Sequence, residues 1–380
     1  MDFNLSEEQQ MLQDTVARLA RDSYGFEQRE RFLRSEAGFS RDFWGQLGEL
    51  GLCAVPLAEA HGGLGGGGVD TLLVMTELGR NLCLEPYLQS QVHGAGLLQQ
   101  LGNPEQCETL LPQVATGELQ LAVALEEGQS HYQLHDVQTR AEPCVGGWRL
   151  SGRKCVVVGG ASAGLILVSA RTSGGVLDEA GISLFLVDPA SQGVTLRDYP
   201  CIDGLRACEL QLEGVVVGEG SLLGAPGRAL PALRYQQGRA IAAQCGEALG
   251  SMQEAFRLTL DYLKTRQQFG APIGKFQVLQ HGMADMRGEL EMAASMAILA
   301  ACVADDPDSE ERSRRLAAAK FIVTRAARFI AEQAIQLHGG IGMTWEYSLS
   351  HHAKRLVMLS HQLGDDDHHL RAYADLLRCA

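Results

Sequence analysis

The apolar residues of this chain change their spacing twice. Up to about residue 118 they recur every three or four positions, from 119 to 226 they fall in short runs, and from 227 the three-to-four spacing returns. A helical period does not fit a strand, and a two-residue period does not fit a helix, because either mismatch turns part of the apolar set toward water. The pattern predicts an α+β multi-domain chain: an N-terminal helical domain over 1–118, a middle β-barrel or sandwich domain over 119–226, and a C-terminal four-helix-bundle domain over 227–380. A length of 380 residues fits several cores better than one.

Local signals place the elements. Ser6 followed by Glu7, Glu8 and Gln9 reads as a helix start, with Leu12, Val16, Leu19 and Ala20 on one face. Further helices are predicted over 42–50, 69–82, 90–101 and 105–115. Strands are predicted over 119–125, 137–141, 148–158, 165–171, 182–187, 194–196, 207–212 and 215–217, with a hairpin turn at 144–147. Long helices are predicted over 235–265, 275–305, 309–338, 345–363 and 366–377.

Composition excludes some functions. With 46 acidic and 32 basic residues the net charge is −14, which argues against a general nucleic-acid binder. The opening residues have no basic and apolar leader pattern, and no run has the roughly 18 apolar residues of a membrane span. The ten cysteines are scattered without a C-x-x-C pair and are expected to stay thiols. The expected location is cytoplasmic.

Three apparent motifs read as structure. Gly62–Gly68 lacks the Lys-Ser/Thr ending of a phosphate loop and joins helix to helix. Gly159-Gly160 lies between two strands, so no dinucleotide βαβ unit surrounds it. His351, His352, His361, His368 and His369 suggest a metal, but adjacent helical residues such as His368 and His369 do not face one ion, so none is predicted.

Two segments carry more. Thr265-Arg266-Gln267-Gln268-Phe269-Gly270 leads on to Lys275-Phe276-Gln277 between two long helices. It offers a forked cation for a pyrophosphate, an aromatic face for a flat ring, and glycines that admit close backbone approach. Gln336-Leu337-His338-Gly339-Gly340-Ile341-Gly342 ends a helix in bare backbone N–H groups. A helix C-terminus with a basic last turn accounts for either segment alone.

Together they resemble the acyl-CoA dehydrogenase family over nearly the whole chain. Asp2–Leu12 is similar to its opening helix, Pro56–Gly65 to its P-x-x-x-G-G-x-G loop, Arg266–Gly270 to its R-x-x-F-G and Gln336–Gly342 to its Q-x-x-G-G-x-G. The resemblance implies FAD as cofactor, an acyl-CoA substrate oxidised to a trans-2-enoyl-CoA, and electron-transfer flavoprotein as acceptor. It also implies a dimer of dimers, homo- or heterotetrameric, with FAD at the dimer interface. By the match, Arg266, Phe269, Gln277, Gln336, Gly339 and Gly340 reach the adenosine and pyrophosphate of a partner's FAD, and Arg239 lies beside the substrate. Small residues near Gly238 and at Ala242 and Ala243 suggest room for a bulky acyl group.

The departures from that pattern fall on the chemistry. The two positions where the family carries its catalytic glutamate hold Ser360 and Gly238. Asp365 and Glu247 are the substitute candidates, although Asp365 also reads as a helix cap. In the flavin-side T-E-P-x-x-G-S-D segment, Glu126 replaces the threonine and Tyr132 the serine, and Val156 stands where the family has a tryptophan. The residues that reach across an interface are kept, and those that serve the chain's own flavin ring and base are lost. This combination, with Leu363–Leu370, resembles the non-catalytic small subunits of bacterial heteromeric acyl-CoA dehydrogenases. A self-sufficient enzyme with a displaced base and a non-enzymatic scaffold are the alternatives.

Overall fold

The computed structural model describes residues 4–378. Six α-helices come first: α1 (Glu7–Ser23), α2 (Phe26–Leu33), α3 (Arg41–Glu49), α4 (Gly68–Arg80), α5 (Ala95–Leu101) and α6 (Pro104–Ala115). Eight strands follow: β1 (Leu121–Ala124), β2 (Arg140–Cys144), β3 (Gly147–Val158), β4 (Leu165–Arg171), β5 (Ile182–Val187), β6 (Val194–Pro200), β7 (Arg206–Gly218) and β8 (Leu222–Leu223). Helix α7 (Leu230–Thr265), the hairpin β9 (Gln267–Gln268) and β10 (Ala271–Pro272), and helices α8 (Gln277–Val303), α9 (Glu310–His338), α10 (Ser348–Leu359) and α11 (Asp366–Arg378) complete the chain. No helix among these is long and apolar enough to cross a membrane.

The helix–strand–helix order is the predicted one, with local differences. The stretches at 207–212 and 215–217 are one strand, β7, whose pairing with β3 shifts register between Leu150 and Gly152 and again between Lys154 and Val157. Helix α2 has no counterpart among the predicted elements, and α10 is shorter than the 345–363 helix. The first half of the 90–101 helix is a π-helix, Leu88–Gly94, that runs directly into α5.

By contact the described residues form two compact units. One holds the chain up to Arg31, Gly67–Cys83 and everything from Ile241; the other holds Phe32–Gly66 and Leu84–Ala240. In the first unit α1 starts on a capping box: Ser6 Oγ accepts from Gln9 N at 3.1 Å and the Gln9 side chain accepts from Ser6 N at 3.2 Å. Its core is built from α7 to α10, with Met252, Met286, Ala293, Ala297, Ile330 and Leu356 buried together. Helix α4 joins this core through Leu72.

In the second unit the strands form one mixed sheet in the order β6-β7-β3-β2-β4-β5-β8, with β1 parallel on β4. β5 is buried at every position and β4 at all but its first, which explains their unbroken apolar sequences. One face of β4 and β5 (Leu167, Leu184, Leu186) packs with Leu97, Leu98 and Leu111 from α5 and α6. The other (Ile166, Val168, Phe185, Val187) packs with Leu150, Leu210 and Val215 of the same sheet.

A buried ion pair ties this sheet together. Lys154 Nζ of β3 lies 2.7 Å from Glu127 Oε1 and donates to Ser169 Oγ of β4 at 2.9 Å. Glu127 also accepts from the backbone N–H groups of Gln138 at 2.8 Å and Thr139 at 3.1 Å. Burial raises the Glu127 pKa, but the Lys154 ammonium and these donors outweigh it and hold the carboxyl at about 2. Glu127→Gln leaves the ammonium buried without its counter-charge and is expected to lower the unfolding free energy by about 3–5 kcal/mol, read by urea denaturation. A loss below about 1 kcal/mol, the worth of an exposed pair, is the contrary result. Because the folded pKa lies below the ordinary value of about 4.3, this stability is present above that pH and is lost as pH falls toward 2.

Candidate functional site

The hairpin between α7 and α8 is built around two residues. Gln268 pairs with Ala271 and Gln267 with Pro272, leaving Phe269-Gly270 as the turn, with φ of 53° and 77°. Positive φ at both positions is the primed turn that matches strand twist. Glycine adopts it freely, whereas a phenylalanine there is strained. The strained ring is 92% exposed and meets Phe276 edge-on, with ring centroids 6.1 Å apart. Arg266 is exposed beside it, its backbone N–H bonded to Tyr262 O at 2.8 Å, and Gln277 opens α8, also exposed.

The second segment reaches the same end of the bundle. Tyr262, near the end of α7, stacks on His338, the last residue of α9, at 4.5 Å. His338 Nδ1 lies 2.8 Å from Ala334 O, a pure acceptor, so Nδ1 carries the proton and Nε2 accepts from Tyr347 Oη at 3.3 Å. Beyond it Gly339 and Gly340 are exposed, and a Cβ added to either meets nothing within 4 Å. Gly339 has φ of 67° and needs glycine for its backbone, whereas nothing in the chain itself requires glycine at Gly340. Gln336 is exposed on the last turn of α9. The fold thus brings together all six residues that the resemblance assigns to a partner's FAD, at one open end of the first unit.

The positions considered for a base are occupied otherwise. Ser360 caps α10, is 1% exposed, and donates its hydroxyl to Val357 O at 2.6 Å. Gly238 is buried within α7. Asp365 accepts from His368 N at 2.8 Å, the bond of a helix N-cap for α11. Glu247 is gripped at both oxygens by Arg355, at 2.6 and 2.9 Å. Arg355 also reaches Gln362 at 3.3 Å, and Gln362 accepts from Gln244. Lys320 donates to Gln244 and to Leu359 O, and burial lowers its pKa to about 8. Nothing in the sequence pattern signalled this network, because its members lie on α7, α9, α10 and the loop after it.

In the second unit, Glu126 is half-buried and burial raises its pKa. Cys155 N–H bonds its backbone oxygen at 3.0 Å. Val156 sits in the register shift between β3 and β7, with φ of 52° and 43% exposure. A β-branched residue at positive φ is a strained bulge, which re-aims side chains. Arg239 lies in α7, partly exposed. The late histidines are engaged one by one: His351 with Trp345 O, His352 with Ser251 Oγ and His369 with Leu363 O. Among the described residues no group of three His, Cys, Asp or Glu could hold a metal.

Family comparisons agree with this architecture. The acyl-CoA dehydrogenase N-terminal, middle and C-terminal domains match residues 6–118, 122–215 and 235–377. A probable acyl-CoA dehydrogenase of Bacillus subtilis, YngJ, is 29% identical over 355 residues, covering 92% of each chain. The long-chain specific acyl-CoA dehydrogenase of Rattus norvegicus is 28% identical, covering 82% of this chain and 73% of its own. A solved structure of a variant of the steroid ACAD Tcur3481-Tcur3483 is 30% identical, covers 98% of each chain and superposes with a TM-score of 0.87. The chain belongs to the acyl-CoA dehydrogenase family, oxidoreductases whose cofactor is FAD.

The two glycines make a direct test of the turn. Gly339→Ala is expected to cost about 1–2 kcal/mol of stability, because an L-residue is forced to positive φ. Gly340→Ala is expected to change the urea midpoint negligibly. Equal losses would show that the second glycine is also needed by the fold.

Proposed function

We propose that this chain is the non-catalytic subunit of a heteromeric acyl-CoA dehydrogenase, contributing half of an FAD site to an unlike partner. The observation that carries this reading is the state of the candidate bases. Removing a weakly acidic α-proton needs a carboxylate free to approach it, and the enolate-like charge needs hydrogen bonds at the thioester carbonyl. Ser360 brings no carboxylate, Asp365 caps a helix, and Glu247 has both oxygens on Arg355.

The residues of the first unit suit the adenosine and pyrophosphate end of FAD. Arg266 supplies a fixed fork for phosphate, Phe269 a bare aromatic face, and Gly339 and Gly340 open backbone beside Gln336 and Gln277. Exposed Phe269, Val278 and Met343 also suit burial under another subunit. The ring end in the second unit suits FAD less. It offers Glu126, a carboxyl that opposes the negative charge of a reduced flavin, and Val156 in place of a ring wall. When bound, FAD supplies the acceptor for the hydride lost from the substrate β-carbon. Net charge −14 attracts neither FAD nor coenzyme A, so binding rests on placed cations such as Arg266 and Arg239.

The steroid ACAD above joins two differently named chains, Tcur3481 and Tcur3483, which supports an unlike partner here. The proposed assembly is a dimer of dimers in the cytoplasm, passing electrons to electron-transfer flavoprotein. The proposed domains are those set out from the sequence: 1–118, 119–226 and 227–380.

Flavin counting tests the proposal. Purified alone, the chain is expected to hold well under one FAD, and any that remains is not bleached by acyl-CoA. Co-expressed with its catalytic partner, the complex is expected to hold one FAD per pair, reduced several-fold by Arg266→Ala. Stoichiometric FAD in the lone chain, bleached by acyl-CoA and lost with Asp365→Asn or Glu247→Gln, would instead make it a self-sufficient enzyme. No FAD in any complex would make it a scaffold.

A further inference from the structure

The second unit contains a cavity of about 100 Å³ that shares no residue with the positions assigned to FAD or considered for a base. Three pieces of chain enclose it: the loop from α2 into the start of α3, the segment after α4, and the strands β3, β6 and β7 near their shared end. Glu36, Arg41 and Ala161 are exposed on its lining, so it opens to solvent. A water needs about 10–15 Å³, and an apolar cavity of about 150 Å³ takes benzene. This cavity therefore admits a molecule of a few heavy atoms, and neither a nucleotide nor a whole acyl-CoA.

Its lining has an apolar part and a charged part. Leu84, Pro86 and Leu205 are buried and supply the apolar wall. Asp198 and Arg206 form an ion pair on the wall: Arg206 Nε donates to Asp198 Oδ2 at 2.7 Å, and Nη2 donates to the same oxygen. With both bonds on one oxygen, the third nitrogen of the fork, Nη1, has no hydrogen bond among the described residues. The Arg206 stem is held by the loop beneath it. Gly38 has φ of 74°, and a Cβ there would lie 2.2 Å from Arg206 Cδ, so only glycine lets the stem rest on that backbone.

Glu36 and Arg41 carry opposite charges and line the same cavity, yet they do not pair with each other. Neither makes an ion pair or a side-chain hydrogen bond with any described residue. The charges on the lining cancel, with Glu36 and Asp198 against Arg41 and Arg206. A simple anion there meets Glu36, and a simple cation meets Arg41. A small molecule bearing both signs is complementary to both. The guanidinium groups suit a carboxylate, Glu36 suits an ammonium group, and the wall of Leu84, Pro86 and Leu205 suits an alkyl side chain.

We propose that this cavity binds a free α-amino acid with a small apolar side chain, held as its zwitterion with the carboxylate on Arg41 and Arg206 and the ammonium group on Glu36. The site lies wholly within the second unit and is independent of the acyl-CoA and FAD readings above.

The test is isothermal titration of the purified full-length chain with L-valine, glycine, isovalerate and isobutylamine. Isovalerate is valine without its ammonium group, and isobutylamine is valine without its carboxylate. L-Valine is expected to bind at least about tenfold more tightly than either, the effect of one hydrogen bond to a charged group. Glycine, which lacks the alkyl group, is expected to bind several-fold more weakly than L-valine. Arg41→Gln and Glu36→Gln are each expected to weaken L-valine about tenfold, and Arg206→Lys, which keeps the charge without the fork, several-fold. Arg41 and Glu36 are exposed and unpaired, so an unchanged melting midpoint is expected and certifies that those variants are folded. Arg149→Gln, exposed on β3 outside the lining, is expected to leave the affinity unchanged. Isovalerate, isobutylamine or glycine binding as tightly as L-valine would overturn the proposal. So would the absence of L-valine binding, which would leave the cavity to water, or an affinity unaltered in both Arg41→Gln and Glu36→Gln.

Discussion

The first unit depends on two helices meeting at backbone distance. Gly250 of α7 lies against Thr76 O of α4, where a Cβ would sit at 1.8 Å, and Gly79 of α4 lies against Glu247 O of α7, where it would sit at 2.1 Å. Gly246 faces Leu72 in the same seam. No side chain larger than hydrogen fits at Gly250 or Gly79, and a Cβ at Gly246 would be tight, so the packing of α4 against α7 is set by main chain rather than by interdigitated side chains. Arg80 bridges the seam at its rim, bonding Gln253 at 2.6 Å and Glu77 at 3.0 Å. This contact fixes an early helix of the chain within the late helical bundle.

A consequence follows for the charges inside. With the backbone of Glu247 pinned against Gly79, its side chain turns the other way, into α10, and finds Arg355. The second unit has its own buried pair, Glu127 with Lys154, fixed by the pairing of β3 and β4 with the loop after β1. In each case a buried carboxylate, one of them the candidate base Glu247, is taken up by a cation and by hydrogen bonds. Burial makes such pairing obligatory, because an unpaired ion in a low-dielectric interior is far more costly than the pair.

The exposed end of the first unit has the opposite character. Phe269 is held at positive φ with its ring in solvent, and Gly340 keeps an opening that no other described residue fills. Strain and open space of this kind are tolerated where something outside the chain completes the surface. The first unit is therefore unsatisfied outward at this end, while its buried carboxylate Glu247 is closed onto Arg355. This division agrees with the proposed role of a subunit that lends binding contacts without a base.

The sequence by itself determined the order of helix, sheet and helix, because a period of 3.6 or of 2 is a property of neighbouring residues. It also exposed the Arg266–Gly270 and Gln336–Gly342 segments, whose residues are contiguous, and the capping character of Asp365, which concerns residues three apart. Tertiary structure alone decided the rest. The Glu247–Arg355 and Glu127–Lys154 pairs, the meeting of α4 with α7, and the bond of Gln236 to Gln100 each join residues distant in sequence. The π-helix at Leu88–Gly94 was equally hidden, since its apolar pattern reads as an ordinary helix. Local spacing dictates which element forms, but only close packing decides which groups are buried and which partner each of them meets.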